Sequence, residues 1–398
     1  MVNTPVYMDN QATTRVDPRV LDAMLPYFSD RYGNPGSTSH VFGWDAKEAV
    51  DRARQSVAAA IGASAREIIF TSGATESNNL AIRGVAERSA HKGNHIVSVA
   101  TEHKAVLDPL AKLERRGWQL TLLPVRPNGQ RDAGLVDLEE LAAAIRDDTI
   151  LVSVMLANNE IGAIQPLEPI GRICKARGVL LHTDATQAAG KIPIDVESLG
   201  VDLLSLSAHK IYGPKGVGAL YVRRRRPSVR LESQIDGGRQ ERGLRSGTLN
   251  VPGIVGLAKA LELCIEEMPY ESGRLARLRN RLFDGLCDAI EGVSLNGPAL
   301  DDPAIRLAGN LNCAFAGVDG EALMMSMRDL AVSSGSACTS ADPAPSHVLR
   351  ALGLGDDHVR SSLRFSLGRF NTEEEVDFAI ETVADTVGRL RSLIHPPG

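Results

Sequence analysis

Short apolar runs, several of them rich in β-branched residues, recur through the first two thirds of the chain and predict strands at 68–70, 95–99, 118–123, 149–155, 179–182, 202–206 and 218–222. Helical spacing fills several gaps between them. Over 45–61, Val50, Val57 and Ile61 share one face, and Gly62 supplies a C-terminal stop. A second helix is expected over 104–116 before Gly117, bent near its start by Pro109. Strands alternating with helices predict an α/β fold, a mostly parallel sheet covered by helices on both faces.

The pattern changes near Pro252. Two helical stretches are expected at 252–268 and 270–290, then a strand at 309–315 and a short helix at 320–329. Strands at 331–333 and 361–366 and a final helix over 372–393 complete a smaller α+β part. No repeat or long linker separates the parts, so they should pack tightly. At roughly 150 residues per domain, 398 residues suggest two or three domains.

Charge adds little. With 44 Lys plus Arg against 49 Asp plus Glu, the net charge is −5, which gives no global reason to bind nucleic acid or an anionic membrane. The basic run 223–226 follows an apolar strand and reads as a solvated strand end. No apolar run approaches the ~18 residues of a membrane span, and the start lacks the basic and apolar regions of a secretory signal. Five cysteines, widely spaced and without a CxxC pair, exclude a disulfide scaffold and a local cysteine-rich zinc site. A cytoplasmic protein is expected, in which any cysteine chemistry comes from one thiol acting alone.

Three segments at predicted strand ends could carry chemistry. Thr71-Ser-Gly-Ala-Thr-Glu-Ser77 can bring backbone N–H groups to an anion at a helix N-terminus, or be an ordinary turn. Asp184, with Gln187 close behind, can hold a proton on a heterocyclic nitrogen or simply cap the next helix. Lys210, in Ser207-Ala-His-Lys210 before a glycine-rich stretch, can form a Schiff base if burial depresses its pKa; otherwise it is a surface lysine. Together, an anion turn, a carboxylate and a lysine make up the set that a pyridoxal phosphate site needs.

A further segment, 333–346, holds five Ser, one Gly and two Pro around Cys338. Few of its side chains can anchor a core, so a mobile loop is expected. At about 3.3–3.6 Å per extended residue, a five-residue arm could carry the thiol well over 10 Å. The other cysteines, Cys174, Cys264, Cys287 and Cys313, sit in apolar or helical stretches and read as small buried hydrophobes.

The chain resembles the cysteine desulfurases of the NifS/IscS type, within the class V aminotransferase-like pyridoxal phosphate enzymes. The resemblance rests on Tyr7-Met-Asp-Asn-Gln-Ala-Thr-Thr14, Gly33-Asn-Pro35, Thr71 to Ser77, Thr101-Glu-His-Lys104, Asn158-Asn-Glu-Ile-Gly162 and Asp184-Ala-Thr-Gln187. It continues through Ser207-Ala-His-Lys-Ile-Tyr-Gly-Pro-Lys-Gly216, Glu241-Arg-Gly-Leu-Arg-Ser-Gly-Thr248, Ser333-Ser-Gly-Ser-Ala-Cys-Thr-Ser340 and Arg364-Phe-Ser-Leu-Gly-Arg369. The lysine and cysteine segments are the most specific.

The resemblance implies pyridoxal phosphate fold-type I (aspartate aminotransferase-like), with the mostly parallel sheet sandwiched by helices. It divides the chain into an N-terminal segment 1–15 packing on the small domain, a large cofactor domain 16–255 and a small C-terminal domain 256–398 carrying the cysteine loop. Lys210 is implied as the Schiff-base lysine, Asp184 as partner of the pyridinium nitrogen, Gln187 as donor to the ring hydroxyl, and His103 as a catalytic group stacked on the ring. Ala74, Thr75, Ser207 and His209 are implied at the phosphate, joined by Thr248 from the other subunit of a homodimer. Asn159 and Arg364 are implied at the substrate carboxylate, Asn159 also beside the cofactor.

The implied reaction converts L-cysteine to L-alanine. The displaced Lys210 amine takes the α-proton, and Cys338 thiolate takes the sulfur as a persulfide. The acceptor is expected to be an iron–sulfur scaffold, with which Cys338 would transiently hold a [2Fe–2S] cluster, or a tRNA-thiolation relay. The latter stays open because the chain ends soon after its last predicted helix. The alternatives are a selenocysteine lyase or other class V lyase or aminotransferase, and, outside enzymes, a sulfur-carrier or scaffold protein.

Overall fold

The computed structural model describes residues 2–225, 227–334 and 345–394. Cys338 and most of the 333–346 segment lie outside the described residues, as does Arg226.

Twelve strands occur among the described residues: β1 Val6–Tyr7, β2 Ile68–Thr71, β3 His95–Val99, β4 Gln119–Leu123, β5 Thr149–Ser153, β6 Leu180–Asp184, β7 Leu203–Ser207, β8 Gly218–Val222, β9 Val293–Leu295, β10 Asn310–Phe315, β11 Leu330–Ala331 and β12 Ser362–Ser366. Seven form the main sheet in the order β2-β8-β7-β6-β5-β3-β4. From β4 to β7 neighbouring strands are parallel. β8 runs antiparallel to both β7 and β2. β2 therefore runs in the same sense as β5, β6 and β7, and all four end at one sheet edge. Gly218 makes this possible where the strands meet, since a Cβ there would lie 2.5 Å from Leu206 O and 2.7 Å from Gly73 Cα.

Central strands β3, β5, β7 and β8 are buried at every position, which is why they read as unbroken apolar runs rather than alternating ones. One sheet face packs against helix Val41–Ala60, through Val50 and Val57. The other packs against helices Ala74–Ser89 and Lys104–Glu114, through Leu80, Val85, Val106 and Leu110.

A second core surrounds the antiparallel sheet β12-β10-β9, with Phe315 and Phe365 in edge contact. Strand β1 pairs with β11, Val6 opposite Leu330, and Val6 and Met8 join this core. Neither β1 nor β9 is visible in the hydrophobic pattern. Both are too short for alternation to register.

One helix, Val251–Ala289, replaces the two expected at 252–268 and 270–290. It runs through Pro269 because both halves are anchored. Ile254, Leu257 and Leu261 are buried in the large core, and Leu278, Leu282 and Leu286 in the small one. Tertiary packing outweighs the local cost of proline. Among the described residues no helix is long and apolar enough to cross a membrane.

Candidate active site

Lys210 ends the 3₁₀ turn Ala208–Lys210 that follows β7, so the strand end fixes where its side chain starts. It is only 8% exposed, and its Nζ donates to Gln11 O and Ala12 O, 2.6 Å from each. Those carbonyls belong to the N-terminal segment, which Thr14 holds against the lysine turn. Its N–H donates to His209 O at 2.9 Å, and its Oγ1 accepts from Tyr212 N at 2.7 Å.

Lys210 opens on a cleft of about 520 Å³ at the sheet edge, a size suited to a cofactor and small substrate. Every described site residue expected from the sequence lines this cleft except Thr248. Thr248 is exposed and lies outside it. Cys338 lies outside the described residues.

At the cleft's anion end, helix Ala74–Ser89 starts after Gly73, whose φ of +151° favours glycine, and no side chain caps it. Ala74 and Thr75 contribute first-turn amides, which helix geometry leaves without intrahelical acceptors. Ser207 Oγ would lie 3.8 Å from a Cβ at Gly73, and His209 lines the same cleft. His209 Nδ1 lies 3.1 Å from Thr13 Oγ1, and burial, then the Lys210 and Lys215 charges, push the imidazole down to about 4. It is neutral at physiological pH.

Asp184 is the last residue of β6 and is 5% exposed. Asn78 Nδ2 donates to its Oδ2 at 2.7 Å, and Thr186 N to its Oδ1 at 2.9 Å. Glu102, fully buried nearby, accepts from Met155 N, and burial, then the Asp184 charge, raises its carboxyl well above the usual range. Gln187 donates through Nε2 to Gln11 O at 2.9 Å and accepts through Oε1 from Lys191 at 3.0 Å. His103 caps helix Lys104–Glu114, its Nδ1 accepting from Ala105 N at 3.0 Å.

Arg364 on β12 is 2% exposed. Its Nη1 donates to Asn159 O at 2.8 Å, its Nη2 meets Asp9 Oδ1 at 2.7 Å, and its Nε has no partner among the described residues. A buried guanidinium with an unused N–H beside a cleft suits a carboxylate. Glu160 lines the same cleft and accepts from Ser346 Oγ at 2.5 Å. Burial raises it to about 7, against the lowering effect of Ser346, Arg364 and His103.

Sequence reading passed over Gln11, Asn78, Glu102 and Glu160. Glu102 and Glu160 adjoin marked residues in Thr101-Glu-His and Asn-Asn-Glu, and that adjacency was the available signal. One expectation is corrected. Cys287 is exposed on the long helix, because that face meets solvent, whereas Cys174, Cys264 and Cys313 are buried. Burial pushes the thiols of Cys174 and Cys264 up to about 12, which makes them poor nucleophiles. Among the described residues no cluster of His, Cys, Asp or Glu could hold a metal ion.

The residues fit pyridoxal phosphate. The uncapped helix start suits its phosphate, Asp184 its ring nitrogen and the buried Lys210 its aldehyde. Asn78 Oδ1 and Thr186 Oγ1 are buried without partners among the described residues, as polar atoms beside an absent group would be.

The class-V aminotransferase family model matches residues 6–378, and the chain belongs to that family of pyridoxal phosphate-dependent enzymes. It is 58% identical over 391 residues to "Cysteine desulfurase IscS" of Aeromonas hydrophila, covering 98% of this chain and 94% of the relative. The protein of the same name from Rickettsia rickettsii is 53% identical, with 98% and 92% covered. Among solved structures, a "NIFS-LIKE PROTEIN" superposes with a TM-score of 0.88 at 40% identity, covering 97% of this chain and 100% of that one. DndA from Streptomyces lividans gives 0.76 at 41%, with 89% and 97% covered.

Proposed function

We propose that this protein is a cysteine desulfurase that takes sulfur from L-cysteine onto Cys338, releases L-alanine and passes the sulfur to an acceptor for iron–sulfur cluster assembly. The observation that carries this reading is one cleft holding Lys210, Asp184 and Arg364, in a chain 53–58% identical to relatives named for that activity.

When bound, pyridoxal phosphate supplies an electron sink. Asp184 keeps a proton at the ring nitrogen, with Asn78 and Thr186 fixing the carboxylate. Ala74, Thr75, Ser207 and His209 hold the phosphate, and Gln187 donates to the ring hydroxyl. Arg364, braced by Asp9 and Asn159, binds the substrate carboxylate and so orients the α-carbon. The Lys210 amine then takes the α-proton, and His103 covers the ring and moves protons at its open face. Cys338 thiolate attacks the substrate sulfur. The Cβ–S bond breaks with its electron pair left on Cβ, which takes a proton to complete alanine, and the sulfur stays on Cys338 as a persulfide.

The active unit is a homodimer in which Thr248 reaches the partner's phosphate site. Its exposure away from its own cleft supports this. So do the exposed apolar side chains of Leu25, Phe28, Trp44, Tyr32 and Phe42, the last two in ring contact at 5.4 Å. The work is done in the cytoplasm, and Cys338 transiently helps hold a [2Fe–2S] cluster with the scaffold.

The purified protein should be yellow, and borohydride should fix the cofactor to the Lys210 peptide. With L-cysteine and a thiol reductant it should release alanine and sulfide in equal amounts. A colourless protein, or cysteine left intact, would overturn the reading.

A further inference from the structure

Lys191 lies in none of the segments that carry the family resemblance, yet it is wired to the cleft. Gly190, at φ +70°, packs so close to the long helix that a Cβ would sit 2.7 Å from Cys264 Cβ. This turn points Lys191 into a small cavity of about 40 Å³ behind Lys210, far too small for a substrate, which also includes Gln11, Cys264 and Glu271. From there Lys191 Nζ donates to Gln187 Oε1 at 3.0 Å. Gln187 Nε2 donates to Gln11 O at 2.9 Å, and the same carbonyl accepts from Lys210 Nζ at 2.6 Å. Two lysines are thus joined through one amide and one carbonyl.

The two ends of this chain leave Gln187 a single orientation. A carbonyl only accepts, and an ammonium only donates. Gln11 O therefore requires Nε2 on the cleft side, and Lys191 requires Oε1 on the other. We propose that Lys191 is a positioning residue that locks Gln187 as a hydrogen-bond donor toward the cofactor and opposes added positive charge at Lys210. The inference rests on Lys210 and Gln187 being the cofactor residues assigned above.

Both effects act in the same direction. A donor at the ring oxygen and a cation behind the lysine each disfavour protonation of the Lys210–cofactor nitrogen. Besides Lys210, the titratable or charged groups facing Lys191 are Cys264 and Arg364, with His209 across Lys210 and with Glu271 and Tyr212 on the cavity wall. Burial, then the Lys210 charge, lowers the Lys191 ammonium to about 7, so its charge opposes Lys210 below that value, while its N–H donation to Gln187 Oε1 persists above it.

The test is a pH titration of visible absorbance on full-length, cofactor-loaded protein without substrate. Lys191→Met should raise the midpoint by roughly one pH unit, and Lys191→Arg, which keeps charge and donor, should return it to or below the wild-type value. Thermal melts run alongside separate this from general damage, which would lower Tm without moving the midpoint. Should Lys191→Met fail to fold, Lys191→Leu supplies the same comparison with a side chain that is likewise neutral and has no donor. Identical midpoints in wild type and the neutral variant would overturn this inference alone. A wild-type protein that takes up no chromophore would overturn the functional reading and this inference with it.

Discussion

Buried Arg364 and half-buried Asp9 form an ion pair, Nη2 to Oδ1 at 2.7 Å, across 355 residues of sequence. Asp9 follows β1, which pairs with β11, and Arg364 sits on β12, so the pair ties the N-terminal segment to the small sheet at the edge of the cleft. With Asn159 O on Nη1, it fixes the guanidinium plane and leaves Nε for a ligand.

Arg364→Lys should therefore bind L-cysteine poorly while keeping the cofactor. A lysine preserves the charge but lacks the planar fork. Losing hydrogen bonds to a charged partner implies a KM increase of roughly tenfold to a hundredfold. Steady-state kinetics beside the cofactor's absorbance check this, and an unchanged KM would remove Arg364 from the substrate site.

Asp184→Asn tests the carboxylate. The amide can still meet Asn78 and Thr186, but it carries no charge to hold a proton at the ring nitrogen. Turnover should fall by about a hundredfold or more, the scale of losing one preorganised electrostatic contact. Cofactor content, measured by release in alkali, should change far less than kcat.

Most of the fold and most of the cleft were legible in the chain. β5, β7 and β8 announce themselves because burial on both faces demands continuous apolar runs, and Asp184 and Lys210 stand at the ends of such runs. The Val251–Ala289 helix was not legible as one element, because what carries it through Pro269 is packing against two separate cores. Lys191, Gln11 and Glu160 were hidden for a related reason. Each reaches the site through topology; Gln11 and Glu160 sit inside segments that carry the resemblance but nothing local gives them a role, and nothing local marks Lys191 at all. Thr248 is the opposite case, marked by resemblance yet not among the residues that line the cleft of its own chain.

Glu160 gives the account a pH dependence. Its carboxyl titrates near 4.5 when unfolded and about 7 when folded, raised by burial. Between those values the folded chain binds more protons than the unfolded one, so this group's contribution to stability falls as pH rises. Above about 7 its full penalty stands, of order 3 kcal/mol as an upper bound. Glu160→Gln, which mimics the protonated acid, should raise Tm relative to wild type above neutrality and change it little below pH 4.5. A Tm difference independent of pH would contradict this.

Arg54 predicts a purely structural loss. Its guanidinium grips Glu241 in two contacts, 2.6 and 2.7 Å, and Glu241 also accepts from Phe70 N on β2 at 2.8 Å. Both side chains are buried. Arg54→Ala would strand a buried carboxylate and should cost about 3–5 kcal/mol in denaturant unfolding. A change below 1 kcal/mol would show that Glu241 finds another partner.

The central claim is that sulfur leaves cysteine at the Lys210 cleft and travels on Cys338. The most direct measurement is mass spectrometry of the alkylated Cys338 peptide after brief exposure of the full-length protein to L-cysteine. The account predicts one extra sulfur atom on that peptide, appearing with alanine, and absent when Lys210 is replaced by alanine. Alanine and sulfide released at the wild-type rate by a Cys338→Ala protein, or an unmodified Cys338 peptide during turnover, would contradict it.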